Sequence, residues 1–129
     1  MPRGSRKATS RLETLTVIVE SSPYGNENVW DAFRLAQALK SVTVGMTVNI
    51  FLLGDGVVAA KKGQSPPAGY YNLGNMLQEL VQHGTSVLAC RTCVSARGLK
   101  EEDLIQGVKI GTMMDLAKWV EGSQKLLTF

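Results

Sequence analysis

Residues 86–98 read Ser-Val-Leu-Ala-Cys-Arg-Thr-Cys-Val-Ser-Ala-Arg-Gly, and the rest of the chain is organised around this stretch. Its apolar start, residues 87–89, is typical of a buried strand, and the residues after the second cysteine predict a helical turn that ends at Gly98. Both cysteines of the protein, Cys90 and Cys93, lie between these two elements. A turn from a strand into a helix leaves free backbone N–H groups, and such groups stabilise a thiolate. The sequence therefore predicts a reactive cysteine in this turn.

The two cysteines are not equivalent. Cys90 ends the predicted strand, where burial in apolar surroundings raises the pKa of a thiol. Cys93 begins the predicted helical turn, where unpaired N–H groups favour the anion and Arg91 and Arg97 add positive charge nearby. We therefore expect Cys93 to have the lower pKa and to be alkylated first.

Strands and helices alternate through the rest of the sequence. Apolar and β-branched runs predict strands over residues 14–19, 47–53, 108–110 and 125–128. Apolar residues at three- and four-residue steps predict helices over residues 27–40 and 71–83, and two more follow residue 98, over residues 100–105 and after Thr112. This alternation predicts an α/β fold, a three-layer α/β/α sandwich around a five-stranded, mostly parallel sheet.

Capping residues and loops complete this prediction. Ser22 or Asn26 is expected to cap the first helix, and Asp115 is expected to form a capping box with Thr112. Parallel sheets bind ligands beyond the carboxyl ends of their strands. The turn after the first strand, the irregular loop over residues 54–70 and the cysteine turn are therefore expected to meet at one edge.

Length and composition fit one globular domain, since the chain has 129 residues and 44% of them are hydrophobic. We expect a basic, flexible extension over residues 1–12 and a single domain over residues 13–129. Four of the fourteen basic residues lie in that extension, which leaves ten against eleven acidic residues in the domain. A basic tail can contact nucleic acid or a membrane, but a solvated extension is the simpler interpretation. With no apolar run of membrane-spanning length and no secretory signal, the sequence predicts a cytoplasmic protein without membrane or nucleic-acid partners.

The C-x-x-C pair is compatible with four kinds of chemistry. A persulfide carrier needs one accessible thiolate, for which Cys93 suffices, whereas dithiol–disulfide exchange needs Cys90 as well. A structural zinc site needs about four ligands, and the chain offers two thiols and His83, so no metal site is predicted. The fourth interpretation is a pair of inert core cysteines. No cofactor is predicted either, since the glycines of residues 54–56 lack the spacing of nucleotide-binding loops.

Several pieces of the chain, in their order and spacing, resemble one known family. They are the Pro23-Tyr24-Gly25 turn, the Leu-Gly-Asp-Gly-Val run over residues 53–57, the stretch from Cys90 to Gly98, the Ile110-Gly111-Thr112-Met113 run and a last strand that finishes in Phe129. On these residues the chain resembles the DsrE/DsrF-like family, which includes sulfur-relay proteins of the TusD and DsrE type and YchN-like proteins. The resemblance points to a branch with a C-x-x-C pair and covers nearly all of residues 15–129.

The resemblance implies a role for the cysteine turn. In the sulfur-relay members, one cysteine followed by a small-residue turn and an Arg-Gly pair accepts sulfane sulfur as a persulfide. By its distance to Arg97-Gly98, Cys93 matches that position, and Cys90 corresponds to a further cysteine seen in the C-x-x-C branch. The resemblance also implies trimeric or hexameric assemblies, with sulfur donor and acceptor proteins or small thiols as partners.

Binding residues are expected on two turns of the same edge. Arg91, Thr92 and Arg97 belong to the cysteine turn, and Tyr24 and Asn26 belong to the turn after the first strand.

Two alternatives to a sulfur carrier or transferase stay open. The first is a dithiol redox protein that cycles a disulfide between Cys90 and Cys93. The second is a non-catalytic oligomeric subunit whose aromatic residues, among them Trp30 and Trp119, serve subunit contacts.

Overall fold

The computed structural model describes residues 13–41 and 44–129, and within them five strands form one sheet. The strands are β1 (Thr14–Val19), β2 (Thr47–Leu52), β3 (Ser86–Cys90), β4 (Lys109–Gly111) and β5 (Lys125–Thr128). Their order is β4-β3-β2-β1-β5, and every neighbouring pair is parallel. The carboxyl ends of all five strands therefore lie at the same edge of the sheet.

In the described part of the chain, four α-helices and two short 3-10 helices connect the strands. The α-helices are α1 (Asn28–Leu39), α2 (Leu73–Gln82), α3 (Arg91–Ala96) and α4 (Met113–Gly122), and the 3-10 helices cover Gly54–Ala60 and Glu101–Asp103. The α/β fold predicted from the alternation of apolar patterns is thus confirmed.

Helices cover both faces of the sheet. From β1 through β4 the chain steps across the sheet in one direction, and it then returns from β4 at one edge to β5 at the other. Because parallel crossovers are right-handed, α1 and α2 lie on one face and α4 lies on the opposite face. On the α4 side, the Trp119 ring meets Phe51 of β2 edge-on, with ring centroids 6.1 Å apart.

The core is centred on β1 and β2, the two strands whose sequences are richest in apolar residues. Val17, Ile50, Phe51 and Leu52 are fully buried, and Phe33 of α1 joins them. Each such side chain contributes about 1.5–3 kcal/mol on burial. This rigid centre fixes where the neighbouring β3, and with it the cysteine turn, must end.

Two helix starts show how far capping rules could be read from the sequence. The predicted capping box at α4 is confirmed: Thr112 Oγ1 accepts from the Asp115 N–H, and Asp115 Oδ2 accepts from the Thr112 N–H. At α1 the predicted side-chain cap is wrong, because Glu27 is the N-cap residue and makes no capping bond. Asn26 instead accepts the N–H of Asn28 in a local turn at 2.8 Å.

Residues 54–70 were predicted as an irregular loop, but the first part of this segment, Gly54–Ala60, forms a 3-10 helix. Beyond it, Lys61 pairs with Leu104 in an isolated bridge, and the Lys62 N–H donates to the carbonyl of Asp103 at 2.9 Å. The predicted extension over residues 1–12 lies outside the described residues. Across the described ranges, no helix combines the length and the apolar character needed to cross a membrane.

Candidate functional site at the cysteine turn

The two cysteines lie where β3 passes directly into α3. Cys90 is both the last residue of β3 and the N-cap of α3, and only 4% of its surface is exposed. Cys93 is the third residue of the helix and is half-buried. The predicted strand-to-helix turn is therefore present, and it gives one buried thiol and one accessible thiol.

The sulfur of Cys93 lies against the turn that follows the neighbouring strand. The backbone N–H of Gly54 donates to Cys93 Sγ at 3.2 Å. Gly54 adopts a φ of 57°, in the left-handed region that favours glycine, as the chain leaves β2. Because β2 and β3 are adjacent and parallel, their carboxyl ends bring this N–H and this thiol together.

Arg97 joins the same two turns through its side chain. Its Nη2 donates to Asp55 Oδ1 at 2.7 Å, and its Nη1 donates to the carbonyl oxygen of Cys93 at 3.0 Å. The guanidinium is therefore engaged with a carboxylate and a backbone carbonyl. Arg97 acts here as a brace between the turns, a different role from the free positive charge beside the thiol that the sequence predicted.

The pKa order of the two thiols is the reverse of the predicted one. Burial opposes ionisation of Cys90, but hydrogen bonds from the side chains and backbone N–H groups of Cys93 and Thr92 outweigh it and lower the pKa. Burial raises the pKa of Cys93, and so do its thiol hydrogen bond to Cys90 and the repulsion of that neighbour, while the Gly54 N–H lowers it. The prediction was wrong because Cys90, as N-cap, faces the helix N–H groups that had been assigned to Cys93.

The remaining predicted residues of the cysteine turn have different positions. Thr92 Oγ1 lies 3.3 Å from Cys90 Sγ, within hydrogen-bonding distance for sulfur. Arg91 is exposed, and its charge is among the causes that lower the pKa of Asp115, after the hydrogen bonds from Thr112. Thr92 thus belongs to the thiol pair, whereas Arg91 faces the start of α4.

Tyr24 and Asn26 belong to a separate group centred on Tyr71. The Tyr24 hydroxyl donates to the Tyr71 carbonyl at 3.3 Å and accepts the N–H of Leu73 at 3.2 Å. The Tyr71 hydroxyl in turn donates to the Asn26 carbonyl at 3.1 Å. These bonds tie the turn after β1 to the start of α2, which is a structural role, and they do not join the two tyrosines to the cysteines.

The aromatic rings of this group form a stack. Trp30 lies 4.6 Å from Tyr71 with the ring planes 9° apart, and the Arg34 guanidinium sits 4.1 Å above the Trp30 ring. Burial and the nearby Glu27 carboxylate raise the pKa of Tyr71. Trp30 thus packs against Tyr71 and Arg34 of its own chain.

Two residues of the site were missed by the sequence reasoning. Gly54 and Asp55 entered the sequence reasoning only as part of the loop over residues 54–70 and of the run that resembles the family, and no spacing linked Asp55 to the cysteines. The usable signal was topological, since the loop after β2 was already expected at the same edge as the cysteine turn. Within residues 13–41 and 44–129, no group of three or more histidine, cysteine or acidic side chains is placed to hold a metal ion.

Comparison with known proteins agrees with this geometry. The sequence profile of the DsrE/DsrF-like family matches residues 13–129, which is the whole of the cysteine turn and of the sheet. The chain belongs to the DsrE/DsrF-like family. The resemblance first seen in the residues of the cysteine turn is thereby confirmed.

Within the DsrE/DsrF-like family, the chain is similar to the protein YchN of Escherichia coli. The two are 36% identical over 118 residues, which is 92% of this chain and all of YchN. The crystal structure of YchN superposes with a TM-score of 0.85 over the same share of the chain. An uncharacterised protein of Methanocaldococcus jannaschii is 45% identical over 88% of this chain and 97% of its own length.

A more distant DsrE/DsrF-like relative has a named activity. The sulfurtransferase TusD of Buchnera aphidicola is 27% identical over 126 residues, which covers 88% of this chain and 98% of TusD. Family membership therefore connects the chain to sulfur relay in general terms.

Proposed function

We propose that this protein relays sulfane sulfur as a persulfide on Cys93. The observation that carries the proposal is the position of that thiol: half-buried, at the carboxyl edge of the sheet, with the Gly54 N–H on its sulfur. A backbone N–H at this sulfur stabilises the negative charge of a thiolate or a persulfide anion. Membership of a family that includes the sulfurtransferase TusD supports the same chemistry.

The loading step is a displacement on sulfur. The Cys93 thiolate attacks the outer sulfur of a donor persulfide, the new bond joins the two sulfurs, and the donor leaves as a thiolate. Delivery to an acceptor thiol repeats this exchange in the other direction. No electrons enter or leave the system in either step, so no redox cofactor is needed.

Cys93 is the better acceptor although its pKa is raised. Its thiol is the accessible one, whereas Cys90 is too buried to meet a sulfur donor carried on another protein. The intrinsic nucleophilicity of a thiolate rises with its pKa, so Cys93 reacts faster once it is deprotonated.

We further propose that copies of the chain assemble through α4 and β5. Strand β5 is an edge strand whose four residues are all exposed, including Leu126 and Leu127. Helix α4 adds Met113, Met114 and Val120, of which Met114 is 65% exposed. An edge strand with exposed leucines and a helix with exposed methionines are features typical of an interface.

Because a carrier of this kind needs reduced thiols, we place its action, with sulfur donor and acceptor proteins or small thiols, in the cytoplasm.

Persulfide loading is tested by incubating reduced protein with a persulfide or thiosulfate donor and measuring its intact mass. The wild type is expected to gain one sulfur, and Cys93→Ser is expected to gain none. Cys90→Ser serves as the matched control, since it removes a thiol of the same turn and leaves the acceptor in place. Failure of both the wild type and Cys90→Ser to gain sulfur, or equal loading of Cys93→Ser, would sink the proposal.

A second candidate function is dithiol–disulfide exchange without any persulfide. The observation that favours it is the pair of free thiols in C-x-x-C spacing, of which Cys90 has a lowered pKa. In that case Cys90→Ser abolishes activity, whereas a persulfide carrier keeps its loading. Equilibration in glutathione buffers decides between them: if no intramolecular disulfide forms at any ratio, the redox function is excluded.

A further inference from the structure

We propose that Cys90 resolves a persulfide on Cys93, so that the protein releases hydrosulfide and is left with a Cys90–Cys93 disulfide. The inference rests on the proposed loading of Cys93. The inference adds a second activity to the proposed sulfur relay. This activity is the reduction of sulfane sulfur to sulfide, which a carrier with one cysteine cannot perform alone.

The first support is the position of the two cysteines at one strand-to-helix junction. Cys90 ends β3 and caps α3, and Cys93 is the third residue of α3, which is the spacing that closes disulfides in redox proteins. A persulfide on Cys93 therefore forms within reach of a second sulfur of the same chain.

The second support is the different exposure of the two residues. Cys90 is 4% exposed and Cys93 is half-buried, so Cys90 meets Cys93 from the interior side. Displacement at sulfur is in line, so the leaving group must lie opposite the attacking thiolate. The outer sulfur of a persulfide on Cys93 has space on the solvent side, opposite Cys90, and this is where the leaving group must lie when Cys90 attacks.

The third support is the set of polar groups around the Cys90 sulfur. Despite its burial, hydrogen bonds from Thr92 and Cys93 lower its pKa, and Thr92 Oγ1 lies 3.3 Å from its sulfur. A buried sulfur that no partner protein can reach is available for one reaction, with the sulfur of Cys93. This accounts for a second thiol that persulfide loading does not use.

The step balances in atoms and electrons. The Cys90 thiolate attacks the inner sulfur of Cys93–S–SH, a Cys90–Cys93 bond forms, and the bond to the outer sulfur breaks with its electron pair, which leaves as hydrosulfide. The sulfane sulfur is reduced and the two cysteine sulfurs are oxidised. A further turnover requires a dithiol reductant, such as dithiothreitol or a dithiol protein, to reopen the disulfide.

The test begins with reduced protein loaded by a persulfide donor, freed of donor by desalting without oxygen, and followed by intact mass and sulfide assay. Wild type is expected to lose its added sulfur, release equimolar sulfide and end two hydrogens lighter than the reduced chain. Cys90→Ser is expected to stay loaded, with release at least about tenfold slower. Ser95→Ala, which alters an exposed residue of the same helix and retains both thiols, is expected to release sulfide and form the disulfide.

The two proposals fail in different ways. If neither the wild type nor Cys90→Ser gains sulfur, and the wild type releases no sulfide, the proposed function and this inference are contradicted together. A wild type that gains sulfur and keeps it, with no sulfide and no disulfide, overturns this inference alone. Because the sulfide and the disulfide are both measured on the wild type, the inference stays open to refutation even where Cys90→Ser does not fold.

Discussion

The backbone N–H of Gly54 donates to the sulfur of Cys93 across 3.2 Å, although the two residues lie 39 positions apart in the chain. Arg97 secures this contact, since it binds Asp55 next to Gly54 and also the carbonyl of Cys93. The turn after β2 and the turn after β3 therefore act as one unit. The predictions below test that unit, the thiol pair within it and the packing that supports it.

Asp55→Asn is expected to loosen this unit with little cost in stability. The Asp55–Arg97 pair is partly exposed, with side-chain exposures of 63% and 31%, so its loss changes the free energy of unfolding by less than about 1 kcal/mol. The Gly54 N–H lowers the pKa of Cys93, and a less well-held N–H lets that pKa rise. We expect iodoacetamide labelling of Cys93 near neutral pH to slow by about twofold to fivefold. Asp31→Asn, which breaks the pair with Arg34 elsewhere on the surface, is the control and leaves the labelling rate unchanged.

Removing either cysteine is expected to move the pKa of the other in a stated direction. In Cys93→Ala, Cys90 loses the thiol that donates to it, so the pKa of Cys90 rises. In Cys90→Ala, Cys93 no longer gives its hydrogen bond to Cys90 and no longer feels its charge, so the pKa of Cys93 falls. Thiolate absorbance against pH measures both values. Titration curves that stay in place in both variants would show that the thiols do not interact.

Gly56→Ala is expected to destabilise the fold, because a β-carbon at this position meets the main chain of β1. The added atom would lie 2.8 Å from the carbonyl carbon of Val19 and closer still to its oxygen. Backbone of a central strand cannot shift cheaply, so the cost is about 1–3 kcal/mol in urea unfolding. Gly122→Ala is the matched control, since nothing lies within 4 Å of its added atom. A loss of stability in Gly122→Ala as large as that in Gly56→Ala contradicts this account.

The capping box of α4 is expected to make stability depend on acid pH. Hydrogen bonds from the backbone and side chain of Thr112 lower the pKa of Asp115 below the ordinary 3.8. Since the folded pKa is the lower one, this stabilisation is complete above the unfolded value and is lost as pH falls through the folded value. Asp115→Asn is therefore less stable than wild type at neutral pH, and the gap closes in strong acid. A gap of constant size across urea unfolding from pH 7 to about 2 would refute the assignment.

Thr112→Ala tests the other half of the same capping box. It removes the hydroxyl that accepts the Asp115 N–H at 3.2 Å, and N-cap threonines of this kind contribute about 1 kcal/mol. Unfolding by urea at neutral pH measures the loss. Thr112→Ser retains the hydroxyl and is expected to keep most of the stability.

Charges on the α4 and β5 surface are expected to break the proposed assembly. Wild type should scatter light as a species larger than a monomer at micromolar concentration, and Met114→Glu with Leu126→Glu should shift it to monomer. Val44→Glu is the control, because Val44 is 50% exposed and lies outside that surface. A wild type that is a strict monomer would contradict the assembly.

The sequence by itself determined the fold class and most elements. Strands such as Thr14–Val19 can be predicted from their continuous apolar runs, because both of their faces are buried. The start of α4 can also be predicted, because Thr112 and Asp115 form its capping box through local hydrogen bonds. The position of Cys90 and Cys93 at a ligand-binding edge also followed from the sequence, since parallel strands place their carboxyl ends together.

Only the tertiary structure decided how the two thiols differ and what holds them. Cys90 acts as the N-cap, and a shift of a few residues in a helix boundary, which local patterns do not resolve, reverses which sulfur meets the helix N–H groups. The Gly54 contact and the Asp55–Arg97 brace arise because strand order makes β2 and β3 neighbours, a fact that no short stretch of sequence contains. Local sequence patterns determined the helices and strands, and long-range packing determined which polar and charged groups surround the Cys93 sulfur.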